Sequence, residues 1–312
     1  MAPFAFVFPG QGSQSVGMLD GWGDHAAVRQ TLDEASTALG EDVAKLIREG
    51  PKDALDLTTN TQPVMLAAGI ACYRAWRADG GPEPVAVAGH SLGEYSALVA
   101  AGVLTLADAL PLVRLRAQAM QRAVPVGAGA MAAILGLDAE QVRSGCAEAA
   151  AETGEVVEAV NFNDPKQTVI AGSKAGVDKA CERLKAMGAK RALLLAVSAP
   201  FHSSLMKPAA EALREALTAV PLAPPRLPVV NNIDVEMPDS ADAIRDALYR
   251  QAFGPVRWFE IVQALHRLGL RHVFECGPGK VLAGLTRRID GEILAAGVLD
   301  PASAAEARAL LS

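Results

Sequence analysis

Short, wholly apolar runs alternate with longer segments of helical period through most of the chain. That is the pattern of a parallel sheet covered on both faces. Phe4–Phe8 reads as a first strand followed by a glycine-rich loop, Gln62 to Trp76 as a helix, and Val85–Ala88 as a second strand. Glu94 to Ala101 then reads as a helix that Gly102 closes. Leu106, Leu110, Val113, Ala117, Met120 and Val124 recur at helical spacing, with Pro111 inside the pattern as an expected kink. The rhythm then changes. Ala130–Leu137 reads as a strand, Ala139–Ala151 as a helix, Val156–Val160 and Thr168–Ala171 as strands, Lys174–Met187 as a helix and Arg191–Val197 as a strand. This β-α-β-β-α-β order is ferredoxin-like. It predicts a small inserted subdomain over 128–197, within a larger α/β domain made of 1–127 and 198–312. Pro221, Pro224, Pro225 and Pro228 mark a loop, after which Val229–Val230 and Val273–Phe274 read as further strands.

Composition narrows the class. With 312 residues, 51 % of them hydrophobic, the chain can bury a substantial core, and at 4 % aromatics much of that core must be alanine and aliphatic. The net charge of −6 argues against nucleic acid as the main partner, so an acidic partner would need a local basic patch. Cys72, Cys146, Cys181 and Cys276 are widely spaced, which suggests neither a disulfide framework nor a zinc site. The uncharged run Tyr95 to Ala107 is too short to span a bilayer. The expectation is a soluble cytoplasmic protein without membrane association, metal or redox cofactor.

The candidate chemistry centres on Gly89-His-Ser-Leu-Gly93. A strand, a G-x-S-x-G turn and a helix in succession form a nucleophile elbow, which exposes the Ser91 hydroxyl at a helix N-terminus. There, free N–H groups and the helix dipole favour a developing oxyanion. A serine needs a base, and the chain has five histidines. His90 adjoins Ser91 and is poorly aimed at it, which suits a supporting role near the turn. His202 lies in Ser198-Ala-Pro-Phe-His-Ser-Ser204, a loop after a strand, where α/β proteins gather functional groups, and is the better base. The loop Pro9-Gly-Gln-Gly-Ser-Gln14 departs from the dinucleotide fingerprint at Ser15 and has no P-loop lysine. Gly10 and Gly12 would instead let backbone approach a reacting group, or simply make a turn. Arg116 falls at the edge of its helix's apolar stripe. From there it could reach into a cleft to hold a carboxylate, or lie along the surface over apolar neighbours.

Taken together, these segments resemble the malonyl-CoA:acyl-carrier-protein transacylase family of fatty-acid and polyketide synthesis. The resemblance rests on Phe6-Val-Phe-Pro-Gly-Gln-Gly-Ser-Gln14, Gly89-His-Ser-Leu-Gly-Glu-Tyr-Ser96 and Val113-Arg-Leu-Arg116. It continues through Asn161-Phe-Asn163, Ala199-Pro-Phe-His202, Val230-Asn-Asn232 and Glu275-Cys-Gly-Pro-Gly279, in the family's order. It implies an α/β-hydrolase-like large domain with a parallel sheet plus a ferredoxin-like insert. It also implies Ser91 as nucleophile, His202 as general base, the Leu92 and Gln11 N–H groups as oxyanion hole, and Arg116 as holder of the malonyl carboxylate. Gln251 would orient His202 through its backbone carbonyl, in place of the acid that the sequence does not supply. His90 and Asn161 would lie beside the substrate, and Phe201 resembles the bulky residue of malonyl-selective relatives. The implied partners are malonyl-CoA and holo acyl carrier protein, met by a monomer. Lys190 and Arg191, with Arg287 and Arg288, are the candidate cations for the donor's phosphates and the acidic carrier. Two other readings compete: a serine hydrolase of thioesterase or lipase type, and a non-catalytic carrier-binding module.

Overall fold

The computed structural model describes all 312 residues. Its elements, in chain order, begin with β1 (Phe4–Phe8), α1 (Ala26–Leu39), α2 (Val43–Glu49), α3 (Lys52–Leu55) and α4 (Thr58–Ala78). They continue with β2 (Ala86–Gly89), α5 (Gly93–Ala100), α6 (Leu106–Ala123), β3 (Gly129–Leu135) and α7 (Ala139–Thr153). Next come β4 (Val157–Asp164), β5 (Gln167–Ser173), α8 (Lys174–Ala186), β6 (Arg191–Leu194) and α9 (Lys207–Ala219). The chain ends with β7 (Val229–Val230), α10 (Ala241–Phe253), α11 (Trp258–Arg267), β8 (His272–Cys276), α12 (Val281–Ile289), β9 (Leu294–Val298) and α13 (Pro301–Ala309).

Five of the strands form a parallel sheet in the order β7-β2-β1-β8-β9. Its centre, β1, is apolar at every position because both of its faces are buried. Phe4, Phe6 and Phe8 point into the main core, while Ala5 and Val7 face a second apolar layer with Trp258, Ile261 and Leu265 of α11. The scarce aromatics are concentrated here. Phe6 meets Phe4 edge-on at 5.1 Å between centroids and Trp76 at 5.3 Å, geometry that adds to the area buried.

The other four strands form an antiparallel sheet in the order β4-β5-β3-β6, the arrangement that the β-α-β-β-α-β rhythm predicts. One face carries α7 and α8 through Val142, Cys146, Val177 and Leu184. The opposite face sends Met131, Val160, Val169 and Ala171 into the main core. β4 is tied to the segment between α10 and α11 where Phe162 N–H donates to Val256 O (2.9 Å) and Val256 N–H donates to Val160 O (2.8 Å).

Three expectations are corrected. β6 stops at Leu194 rather than Val197: after Leu195 N–H bonds Met131 O, the chain leaves β3 for the His202 loop. The second small-sheet strand runs to Asp164, through two register shifts that absorb Val160 and Asn163. Thr105 caps α6, and Pro111 is accommodated within it, so the apolar stripe is carried on one helix. No helix is long and apolar enough to cross a membrane.

Candidate active site

Three neighbouring parallel strands, β1, β2 and β7, end on one side of the sheet, where α/β folds bind ligands. Their carboxyl ends deliver Gln11, Ser91 and Asn232. At the end of β2, a Cβ on Gly89 would run into the Gly93 carbonyl, and one on Gly93 into Phe8 O. Both glycines of the motif are therefore sterically required. The turn holds Ser91 at φ 53°, a left-handed conformation that costs a non-glycine residue about 1–3 kcal/mol. Asn232 straps it: its side chain accepts from Ser91 N–H (2.6 Å) and donates to Gly89 O (2.6 Å).

His202 is also left-handed, at φ 65°. Only one other non-glycine residue, Val235, shares this feature, so two of the three strained positions are the sequence's candidate nucleophile and base. His202 Nε2 lies 2.7 Å from Ser91 Oγ, and Nδ1 lies 2.9 Å from the Gln251 carbonyl oxygen. A carbonyl only accepts, so Nδ1 carries the proton and Nε2 is left to accept from the serine hydroxyl. Burial, and secondarily the Arg116 charge, push the His202 pKa down to about 3, which keeps the ring neutral at physiological pH.

Of the two positions that the sequence left open for Arg116, the structure selects the cleft. It is 2 % exposed and has no carboxylate within ion-pair distance. Its Nη1 donates to Gln62 Oε1 (2.7 Å), and its Nη2 donates to Gln251 Oε1 (3.1 Å) and Ser91 Oγ (3.2 Å). Its Nε is buried without a partner. Burial lowers its pKa, opposed chiefly by Tyr95 and Glu94.

The cavity here is small, ≈ 130 Å³, and open to solvent on one side. Gln11, His90, Ser91, Leu92, Arg116, Asn161, Phe201 and His202 all line it, together with Gln62, Met120, Met131, Leu195 and Val197. The N–H groups of Gln11 and Leu92 donate to no protein acceptor, while the Gln11 side chain is held by Thr58 Oγ1 (3.2 Å). His90 sits beside the turn. Its Nε2 meets Asn163 Oδ1 at 2.9 Å, and burial lowers its pKa. Asn161 Oδ1 is buried and unpartnered. Gln251 is fully buried beneath the cavity rather than in its wall.

The candidate cations are not gathered into the cavity. Lys190 and Arg191 are exposed at the start of β6. Arg287 spends its guanidinium on Ala295 O, and Arg288 on Asp164 Oδ2 (2.8 Å) and Gln167. Sequence reasoning missed Gln62, Asn232 and Glu94. For Gln62 the signal was a polar residue on the otherwise buried face of α4. Glu94 lay inside the elbow motif, whose chemistry was credited to Ser91, and Asn232 inside Val230-Asn-Asn232, to which no chemistry was assigned.

Fold and site together define an α/β acyltransferase built on a serine elbow, and residues 5–282 match the acyl transferase domain family. The chain is 52 % identical over 98 % of its length to the malonyl CoA-acyl carrier protein transacylase of Escherichia coli K12, covering 99 % of that protein. An acyl-carrier-protein S-malonyltransferase crystal structure from Burkholderia pseudomallei superposes with TM-score 0.97 at 66 % identity, covering 98 % of this chain and 99 % of that one. A malonyl-transacylase in complex with a type II PKS acyl-carrier protein gives TM-score 0.97 at 50 % identity, with 99 % and 100 % covered. The chain belongs to the malonyl CoA-acyl carrier protein transacylase family.

Proposed function

We propose that this chain transfers the malonyl group of malonyl-CoA to the phosphopantetheine thiol of holo acyl carrier protein, through a malonyl ester on Ser91. The observation that carries this reading is the Arg116 guanidinium, buried, unpaired by any carboxylate, and 3.2 Å from the candidate nucleophile. A buried cation without its counter-ion is costly unless a ligand supplies one, and a planar guanidinium suits a carboxylate.

His202 Nε2 takes the Ser91 proton as Oγ attacks the thioester carbon. The N–H groups of Leu92 and Gln11 receive the oxyanion, at no cost in protein bonds already made. On collapse the C–S bond breaks, and the coenzyme A sulfur leaves with the proton held by His202. The carrier thiol then repeats the sequence: its proton passes to His202, its sulfur attacks the ester, and Ser91 recovers its hydrogen. Each acyl group enters and leaves at one serine, so the kinetics are ping-pong. The chemistry calls on no metal or redox cofactor.

Phe201 walls the cavity next to the base, where a branch on the malonyl methylene would press against the ring. Phe201→Ser is expected to raise the methylmalonyl-to-malonyl ratio of kcat/KM by roughly tenfold, one methyl group's worth of pocket. An unchanged ratio in a competition assay would remove the steric account.

Lys190 and Arg191, exposed and free of ion pairs, are the cations we assign to the carrier and to the donor's phosphates. The committed guanidinium groups of Arg287 and Arg288 make them weaker candidates. We also divide the chain into a large domain over 1–127 and 198–312 and an insert over 128–197. This division is supported by strands of the second sheet that all fall between 129 and 194. The acidic composition and four free cysteines support a cytoplasmic protein, and we infer that it acts as a monomer.

The test is to incubate the protein with malonyl-CoA alone, weigh it intact and map the adduct. A malonyl adduct on Ser91 that is discharged by added holo carrier protein is expected. Free malonate and coenzyme A without carrier-dependent transfer would replace this reading with a hydrolase.

A further inference from the structure

Glu94 is a buried ionisable group beside the site that this mechanism leaves unused. It sits in the first turn of α5, three residues after Ser91, and is 2 % exposed, yet it does not line the cavity and is not paired with Arg116. Its Oε2 accepts two hydrogen bonds, from Asn232 N–H (2.9 Å) and from Gln251 Nε2 (3.0 Å). These are the residues that hold the reacting pair. The Asn232 side chain straps the strained Ser91 turn at both Ser91 N–H and Gly89 O. The Gln251 backbone carbonyl fixes His202 Nδ1, while its side chain donates to Ser91 O (2.9 Å) and accepts from Arg116.

The Gln251 amide shows why the acceptor matters. With Nε2 held by two oxygens, Ser91 O and Glu94 Oε2, the amide can point only one way, and Oε1 must face the guanidinium. Without Glu94, one of those donors and the Asn232 N–H would be buried with no partner, and the amide could turn to satisfy itself elsewhere. We propose that Glu94 is a positioning residue for acyl transfer. Its carboxylate, one layer behind the Ser91–His202 pair, sets Asn232 and Gln251 and thereby holds the elbow, the base and Arg116 in register. This rests on the malonyl-transfer reading above, because it assigns Glu94 a share in that reaction. The place an acid occupies in a triad is thus filled by a neutral carbonyl, and the carboxylate acts through two amides.

The groups facing Glu94 are Arg116 from α6, Asp234 beyond β7 and Tyr95 on its own helix. Burial pushes its carboxyl up to about 7, opposed by Gln251, Asn232 and Arg116. The ionised form is the better double acceptor, so positioning should be gained as pH rises through that value.

The experiment measures malonylation of Ser91 in the intact enzyme by quenched mass spectrometry, for the wild type, Glu94→Gln and Glu94→Ala, from pH 5 to 9. Rates are normalised to the fraction of Ser91 that can be acylated. For the alanine variant we expect kcat to fall by roughly 30- to 100-fold, the cost of leaving buried donors unpaired, with KM for malonyl-CoA within about threefold of wild type. For the isosteric glutamine variant, which retains an acceptor, the loss should stay within about tenfold. The wild-type rise in kcat/KM centred near pH 7 should be absent from it. Loss of the fold alone would lower the reactive fraction and leave the rate per reactive site unchanged. A wild-type rate and pH profile in both variants would overturn the proposal while leaving malonyl transfer intact. A wild type that forms no adduct on Ser91 would instead overturn the transfer reading itself.

Discussion

Replacing His202 with alanine is expected to slow malonylation of Ser91 by roughly 10³- to 10⁴-fold, the upper range for removing a positioned general base. The structure gives three reasons to place the loss so high. No second titratable group is hydrogen-bonded to Ser91 Oγ except Arg116, which can only donate. The tautomer is fixed by the Gln251 carbonyl, so all of the neutral ring is in its reactive form. With its pKa held down to about 3, nearly every molecule carries that neutral ring at pH 7. A malonyl carboxylate on Arg116 would cancel part of the charge that lowers that pKa, so the base strengthens when the right acyl group is bound. The variant should still bind malonyl-CoA with KM within a few-fold of wild type, because His202 touches the reacting atoms and not the carboxylate. Since alanine is strained at φ 65°, His202→Asn, which tolerates that conformation better, serves as the second variant. Single-turnover acylation in either variant within tenfold of wild type would remove His202 from its role.

Local signals made the parallel sheet, the small antiparallel sheet and the elbow legible in the sequence. An apolar run has few alternatives to a buried strand when glycines close it, and Gly89 and Gly93 admit no side chain. Arg116 was harder. Helical angle placed it at the edge of a stripe, and only the approach of α4, bringing Gln62 to its Nη1, decides that the edge is inside. Asn232 and Glu94 were illegible as functional residues, because their partners lie 138 to 157 positions away and contact at that range has no local trace. The β6 boundary failed for a related reason. Leu195 and Val197 are apolar because they wall a cavity, and an apolar alternation reads the same whether it faces a core or a substrate. Which cations are free for a ligand has no local trace either. Arg287 and Arg288 form a basic pair in the sequence, but each guanidinium is taken up by the protein's own oxygens.

Arg116→Ala separates the transferase from its competitors and should have a comparably large effect on substrate choice. A charge-paired, buried contact removed from one side costs about 3–5 kcal/mol, which predicts a fall in malonyl kcat/KM of roughly 200- to 5,000-fold. The same change should leave acetyl-CoA nearly unaffected or improve it, because the wild type asks an uncharged acyl group to bury itself against an unanswered guanidinium. The ratio of the two substrates should therefore shift by more than either rate alone. Part of the malonyl loss could arise from structure, since Gln62 Oε1 and Gln251 Oε1 both lose a donor. That part must slow both substrates equally, so it cancels in the ratio. Arg116→Lys adds a finer cut. It restores the charge but not the planar fork of donors, so it should recover only a fraction of the malonyl preference. A hydrolase carrying an incidental arginine would show no change in the malonyl-to-acetyl ratio in either variant, and that result would defeat the assignment of Arg116 to the substrate carboxylate.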